Sequence, residues 1–342
     1  PQQLYDQNLI NQSRSTMSDA QFNREFGAIF TDDSSGYFKV SKMAACTIPD
    51  GEGQSVEVVG NRKDEYILSF DPSWSESESS DDFAMLLIKL NRESNKGTIV
   101  HSYALSGANL KTHIKYMAYI LTHFNISAVV GDYNGGVQFI SSCNESEIFK
   151  SKNLTLGVIE ADLDKSKDYE RNLAKLKNQY NKSERKFVFL RKPTSSWIRL
   201  ANESLQSSFD HKRIFFAGAA MNDDYNNQRK SRVPIEELKF LKNDTDEKGA
   251  KGARMIDFVE HQKDMMDLIK VQCAMVQITT SSQGTQSFDL PRNLRRQSGA
   301  NKARKDSYSA LVLGNWMMNV FYDMESDKIS DRQNTFVPMF IS

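Results

Sequence analysis

Three aspartates in this chain have the type and placement for metal chemistry. Asp71 ends the apolar run Glu65-Tyr66-Ile67-Leu68-Ser69-Phe70-Asp71, and Asp132 ends another, Ala128-Val129-Val130-Gly131-Asp132. Asp306 opens an amphipathic stretch that runs from Ser307 to Asp323. A lone carboxylate at the end of a buried strand loses hydration and costs stability. Beside a second carboxylate from a neighbouring strand, it can instead hold a hard cation through oxygen. Phosphodiester hydrolysis needs an activated water and neutralised phosphate oxygens, which two divalent ions roughly 3.5–4 Å apart can supply. Three or four Asp side chains suffice to hold Mg²⁺ or Mn²⁺. The expected assignment is Asp71 bridging both ions, Asp132 holding one and Asp306 the other. Asp82 is a fourth candidate, which its neighbour Asp81 could replace. Taken singly, each Asp has a plainer use as a turn or cap residue, and Asp306 would serve well at a helix start.

The surrounding elements must bring these side chains together. Tyr66–Asp71, Phe83–Leu90 and Thr98–Leu105 read as strands, the last two joined by a turn at Asn91–Gly97. Leu110–Phe124 repeats apolar residues at helical spacing and leads into the strand that ends at Asp132. Strand, hairpin, strand, helix, strand predicts three antiparallel strands and a fourth joined parallel through the helix. Further on, Lys186–Arg191 and Arg213–Ala217 read as strands, and Ser196–Ser208 and Met255–Leu268 as helices. Cys273–Thr279 and Thr285–Leu290 read as a β-hairpin. The sequence Tyr133-Asn134-Gly135-Gly136 reads as a turn. The polar, highly charged 164–183 predicts a solvated helix, and 222–252 a mobile loop. Before Cys46, Phe22, Phe26 and Phe30 recur on one helical face. The expected class is α/β, a ribonuclease-H-like mixed sheet flanked by helices and carrying insertions.

Bulk properties narrow the choice. The chain has 342 residues, 39% hydrophobic and 26% charged, which is ordinary for a globular protein. No apolar run approaches the roughly 18 residues of a membrane span, and the polar N-terminus does not resemble a signal peptide. The 44 basic and 44 acidic residues cancel, so any grip on nucleic acid must come from local concentrations of charge. One such concentration is the segment from Pro291 to Lys305, with Arg292, Arg295, Arg296, Lys302, Arg304 and Lys305 as candidate phosphate contacts. The three cysteines are far apart and lack CxxC spacing, which argues for a reduced compartment and against a structural zinc. The five histidines form no ligand pair, and no Gly-x-x-x-x-Gly-Lys-Ser/Thr phosphate loop occurs.

Four segments carry a resemblance to a known family. Met17–Phe30 is similar to a helix linking a motor domain to a nuclease. Ile67–Pro72 with Asp82-Phe83-Ala84 resembles the family's first strand and hairpin. Val130–Gly136 resembles its Asp-x-x-Gly element, and Lys305–Leu311 its terminal Asp-x-x-Asp-Ala-Leu helix start. The family is the C-terminal nuclease domain of the large terminase subunit, the DNA-packaging motor of tailed bacteriophages. Two positions depart from it, Ser309 and Lys305, where many members carry further aspartates.

The resemblance implies residues 1–45 as a linker region from an ATPase domain outside this chain, and 46–342 as the nuclease domain. The implied activity is metal-dependent endonucleolytic cleavage of concatemeric double-stranded viral DNA by two Mg²⁺ or Mn²⁺ ions. It also implies that the chain itself hydrolyses no ATP. The implied partners are DNA, the portal, the small terminase subunit and other large subunits, in the cytoplasm of an infected bacterium. The chain would then be a fragment of a longer polypeptide. Two rivals remain: a junction-resolvase or integrase-like nuclease of the same fold, and a non-catalytic docking module.

Overall fold

The computed structural model describes residues 36–73, 75, 77, 80–160, 186–219, 255–281, 285–295 and 302–334. The segments 164–183 and 222–252, the residues Phe22, Phe26 and Phe30, and Arg296 lie outside them.

The first helix, α1 (Val40–Ala45), precedes the strands β1 (Tyr66–Asp71), β2 (Phe83–Asn91) and β3 (Lys96–Leu105). Then come α2 (Leu110–His123), β4 (Ile126–Asp132), α3 (Tyr133–Glu145), α4 (Glu147–Ser151) and β5 (Leu156–Glu160). After these follow β6 (Lys186–Arg191), α5 (Ser195–Asp210), β7 (Ile214–Phe216) and α6 (Met255–Met275). The chain continues with β8 (Gln277–Thr280), β9 (Gln286–Asp289), α7 (Arg292–Arg295) and α8 (Asp306–Asn334).

Seven strands make one mixed sheet in the order β5-β6-β4-β1-β2-β3-β7. β2 runs antiparallel to both neighbours, and every other pairing in the sheet is parallel. β4 therefore joins β1 in parallel through α2, as the sequence pattern requires. The central strands are near-continuous apolar runs because both their faces are covered. On one face, Phe139 of α3 packs against Phe70 and Phe83. On the other, α8 lies against β1, β2, β3 and β4, with α5 and α6 packed beside it.

Local chemistry explains several boundaries. Asn109 caps α2 by accepting from the Thr112 N–H, and Ser146 caps α4 by accepting from the Phe149 N–H. Two sequence expectations need correction. Cys273 lies in α6, which runs on to Met275. Met266, Ile269 and Cys273 are all fully buried at helical spacing, so burial of one helix face prevails over strand propensity there.

The second correction concerns Tyr133–Gly136, which begins α3. Asn134 and Gly135 do leave helical geometry, Gly135 at φ 81°, so the turn signal marks a kink inside the helix's first turn. β5 and α4 are short elements that no sequence periodicity announces. Residues before Cys46 also join the body: Phe38 is fully buried against Phe209 and Tyr308. Among the described residues no helix is long and apolar enough to cross a membrane.

Candidate active site

Sheet register brings the first two acids together. Phe70 pairs with Gly131 across the parallel β1–β4 ladder, so Asp71 and Asp132 follow side by side at the carboxyl ends of adjacent strands. Alternation turns Phe70 toward α3 and Asp71 toward α8. Asp306 opens α8, and Ser309, one turn later on the same helical face, donates its hydroxyl to the Asp71 carboxylate.

The electrostatics follow from this geometry. Burial pushes the Asp71 carboxyl well above its ordinary value, and the Asp306 and Asp132 charges push it further. The Ser309 hydroxyl and the Lys305 ammonium oppose that rise. Burial raises Asp306 to about 7, against a hydrogen bond from the Asp82 N–H that favours the charged form. Asp132 is raised by burial, against the Asn134 N–H. A carboxylate buried among like charges is costly unless a cation joins it. The oxygen donors at hand suit a hard divalent ion.

Each carboxylate nevertheless has a separate local partner. Asp132 accepts from the Asn134 N–H at 2.7 Å, capping α3, and Asp306 accepts from the Asp82 N–H at 2.8 Å. Asp71 has Ser309. Among the described residues, no three His, Cys, Asp or Glu side chains already form a metal-binding cluster. The arrangement fits a divalent ion in charge and donor type, and the bonds to Asp132 and Asp306 each occupy one carboxylate oxygen, leaving the other as a donor.

Asp82 lies 8% exposed, with its carboxylate 3.2 Å from Arg304 Nε, an ion pair that offsets part of its burial-raised pKa. Asp81 pairs with Lys302 at 2.8 Å. Asp289 holds both Arg295 at 2.8 Å and Lys305 at 3.1 Å. The basic segment, which in sequence has a single acid nearby, thus meets three once folded. Arg292 is exposed on the short helix α7. The sequence pattern missed the role of Ser309 and of the Asp82 amide. The three-residue spacing from Asp306 could have flagged Ser309.

One antiparallel strand in an otherwise parallel sheet, with acids at the ends of β1 and β4 and at the start of the covering α8, defines a ribonuclease-H-like α/β domain. The fold is similar to that of the large terminase nuclease from thermophilic phage G20c. That likeness has a TM-score of 0.40 at 9% identity, over 80% of this chain and 95% of that one. The same nuclease with bound magnesium aligns at TM-score 0.41 and 9% identity, over 81% and 95%. The HK97 bacteriophage large terminase aligns at 0.42 and 8% identity, over 82% of this chain and 43% of that one. Neither a family model nor a curated protein sequence matches the chain.

Proposed function

We propose that this chain is a metal-dependent endonuclease that cuts concatemeric double-stranded viral DNA during genome packaging. The observation that carries the reading is the buried Asp71 carboxylate, set beside Asp132 and charged against Asp306. The order of these acids and the four family-like segments support the packaging assignment. On this reading residues 46–342 are the nuclease domain, joined through 1–45 to the packaging ATPase, and the chain itself hydrolyses no ATP.

Asp71 would bridge two Mg²⁺ or Mn²⁺ ions, with Asp132 on one and Asp306 on the other, and Asp82 or Asp81 as a further ligand. The chemistry such ions would supply there is an activated water and neutralised charge on the scissile phosphate. The chain's own groups do the rest. Ser309 orients Asp71, and Lys305 adds positive charge beside the carboxylates. Arg292 and Arg295, with Arg296 and Lys302, bind backbone phosphates and give little sequence preference. The partners are duplex DNA and, by the sequence resemblance, the portal, the small subunit and other large subunits in the infected host's cytoplasm.

A non-catalytic docking module is the competing reading, favoured by the separate local partner that each carboxylate has. One experiment separates them: Mn²⁺-dependent nicking of supercoiled plasmid by the wild type and by Asp71→Ala. Cleavage by the wild type alone supports the nuclease. Nicking that persists in the variant overturns the assignment of Asp71, and no nicking by either leaves the docking module as the better reading.

A further inference from the structure

We propose that Arg304 is a positioning residue for the Asp306 carboxylate rather than a phosphate contact. The inference rests on the nuclease reading, and its chain of contacts is short. Arg304 Nε lies 3.0 Å from the Ser80 carbonyl oxygen, to which it donates, and 3.2 Å from Asp82 Oδ1. It thereby clamps the start of the segment that enters β2. The Asp82 backbone N–H in turn donates to Asp306 Oδ2 at 2.8 Å. The Arg304 side chain is 15% exposed and that of its partner Asp82 10%, so the pair is shielded from salt and from solvent exchange.

Geometry separates Arg304 from its neighbours in the basic segment. Arg295, with a side chain 46% exposed, faces outward and can exchange its partner Asp289 for a phosphate at small cost. Arg304 cannot do so without abandoning a largely buried carboxylate, which is the expensive way to break an ion pair. Its Nε–H sits between one carbonyl and one carboxylate oxygen, and the guanidinium keeps its charge at every working pH. Asp82 then acts on the site through its amide, fixing which oxygen of Asp306 is left for a cation. Groups behind a ligand in this way tune its direction and affinity.

The test compares Arg304→Gln and Arg304→Lys with the wild type in three measurements: kcat and KM for Mn²⁺-dependent plasmid cleavage, Mn²⁺ affinity by calorimetry, and the salt dependence of duplex binding. Arg304→Gln should lower kcat and Mn²⁺ affinity by about ten- to a hundredfold, with KM for DNA unchanged. Its slope of log affinity against log salt should match the wild type. Arg304→Lys should recover part of kcat, since an ammonium keeps the charge beside Asp82 but not the Nε–H placed between Asp82 and the Ser80 carbonyl. A salt slope smaller by about one, with Mn²⁺ affinity intact, would make Arg304 a phosphate contact and overturn the proposal. If the Gln variant does not fold, the Lys variant decides by the same split between kcat and KM. If the wild type fails to cut DNA, the nuclease reading fails by itself, and weaker Mn²⁺ binding in Arg304→Gln still measures the clamp.

Discussion

Gly314 brings α8 into direct contact with Ser69, two residues before Asp71 on the same face of β1. A Cβ at Gly314 would stand 2.8 Å from Ser69 Oγ and 2.9 Å from Ile88 Cδ1. Both neighbours are fully buried. Gly314→Ala adds helix propensity of about 0.5–1 kcal/mol, but overpacking costs about 1–3 kcal/mol. The expected outcome in urea unfolding is a net loss of stability, with kcat falling because Asp306 and Ser309 move away from Asp71. A more stable alanine variant would show that helix and strand have slack between them.

Asp71→Asn should raise the melting temperature of the metal-free protein. It removes a desolvated charge beside Asp132 and Asp306, and the amide oxygen still accepts from Ser309. Mn²⁺ should stabilise the wild type by about 2.7 kcal/mol at a hundredfold excess over Kd, and leave the variant unmoved. Differential scanning calorimetry with and without Mn²⁺ checks both halves. Equal Mn²⁺ shifts in the two proteins would place the ion elsewhere.

Two buried histidines make the fold acid-sensitive. Burial holds His101 and His113 down at about 4, below their ordinary 6.5. His101 gives its Nδ1 proton to the Glu57 carbonyl oxygen, which leaves Nε2 to accept from the Tyr116 hydroxyl. Between pH 6.5 and 4 the unfolded chain binds more protons than the folded one. Stability is therefore full above 6.5 and falls toward 4, by at most about 1.4 kcal/mol per pH unit for each group. Urea unfolding across that window should give a shallower slope for His113→Phe, whose ring can keep the stack on Phe83. An unchanged slope would remove His113 from this account.

Arg292→Ala should weaken duplex binding alike for all sequences and reduce the salt slope by about one. The residue is exposed on α7, close in sequence to Arg295 and its partner Asp289. Fluorescence anisotropy across a salt series measures it, and an unaltered slope would take α7 out of the DNA surface.

Much of the sheet was legible because its signals are local. The apolar runs at Tyr66–Asp71 and Phe83–Leu90 are long enough to be strands, and Leu110–Phe124 has unmistakable helical spacing. Tyr133–Gly136 misled, since two glycines signal a turn whether or not a helix resumes at once. β5 carries no clear local signal, because a five-residue edge strand depends on β6 for its hydrogen bonds. The ordered acids were readable as types and spacings. Their partners were not, because Asp82 and Asp306 are 224 residues apart and no periodic pattern links them.

Which strands end in acid, which helix begins with one, and that oxygen donors are at hand are all written in the chain's local pattern. Tertiary structure decided the rest: Asp71 and Asp132 share a face because β1 and β4 pair in parallel, and the Pro291–Lys305 cations meet Asp81, Asp82 and Asp289. The reason is range. Burial periodicity acts over neighbouring residues and is written into the chain, whereas the pairing of charges depends on which distant segments the packed sheet and α8 bring within a few ångströms.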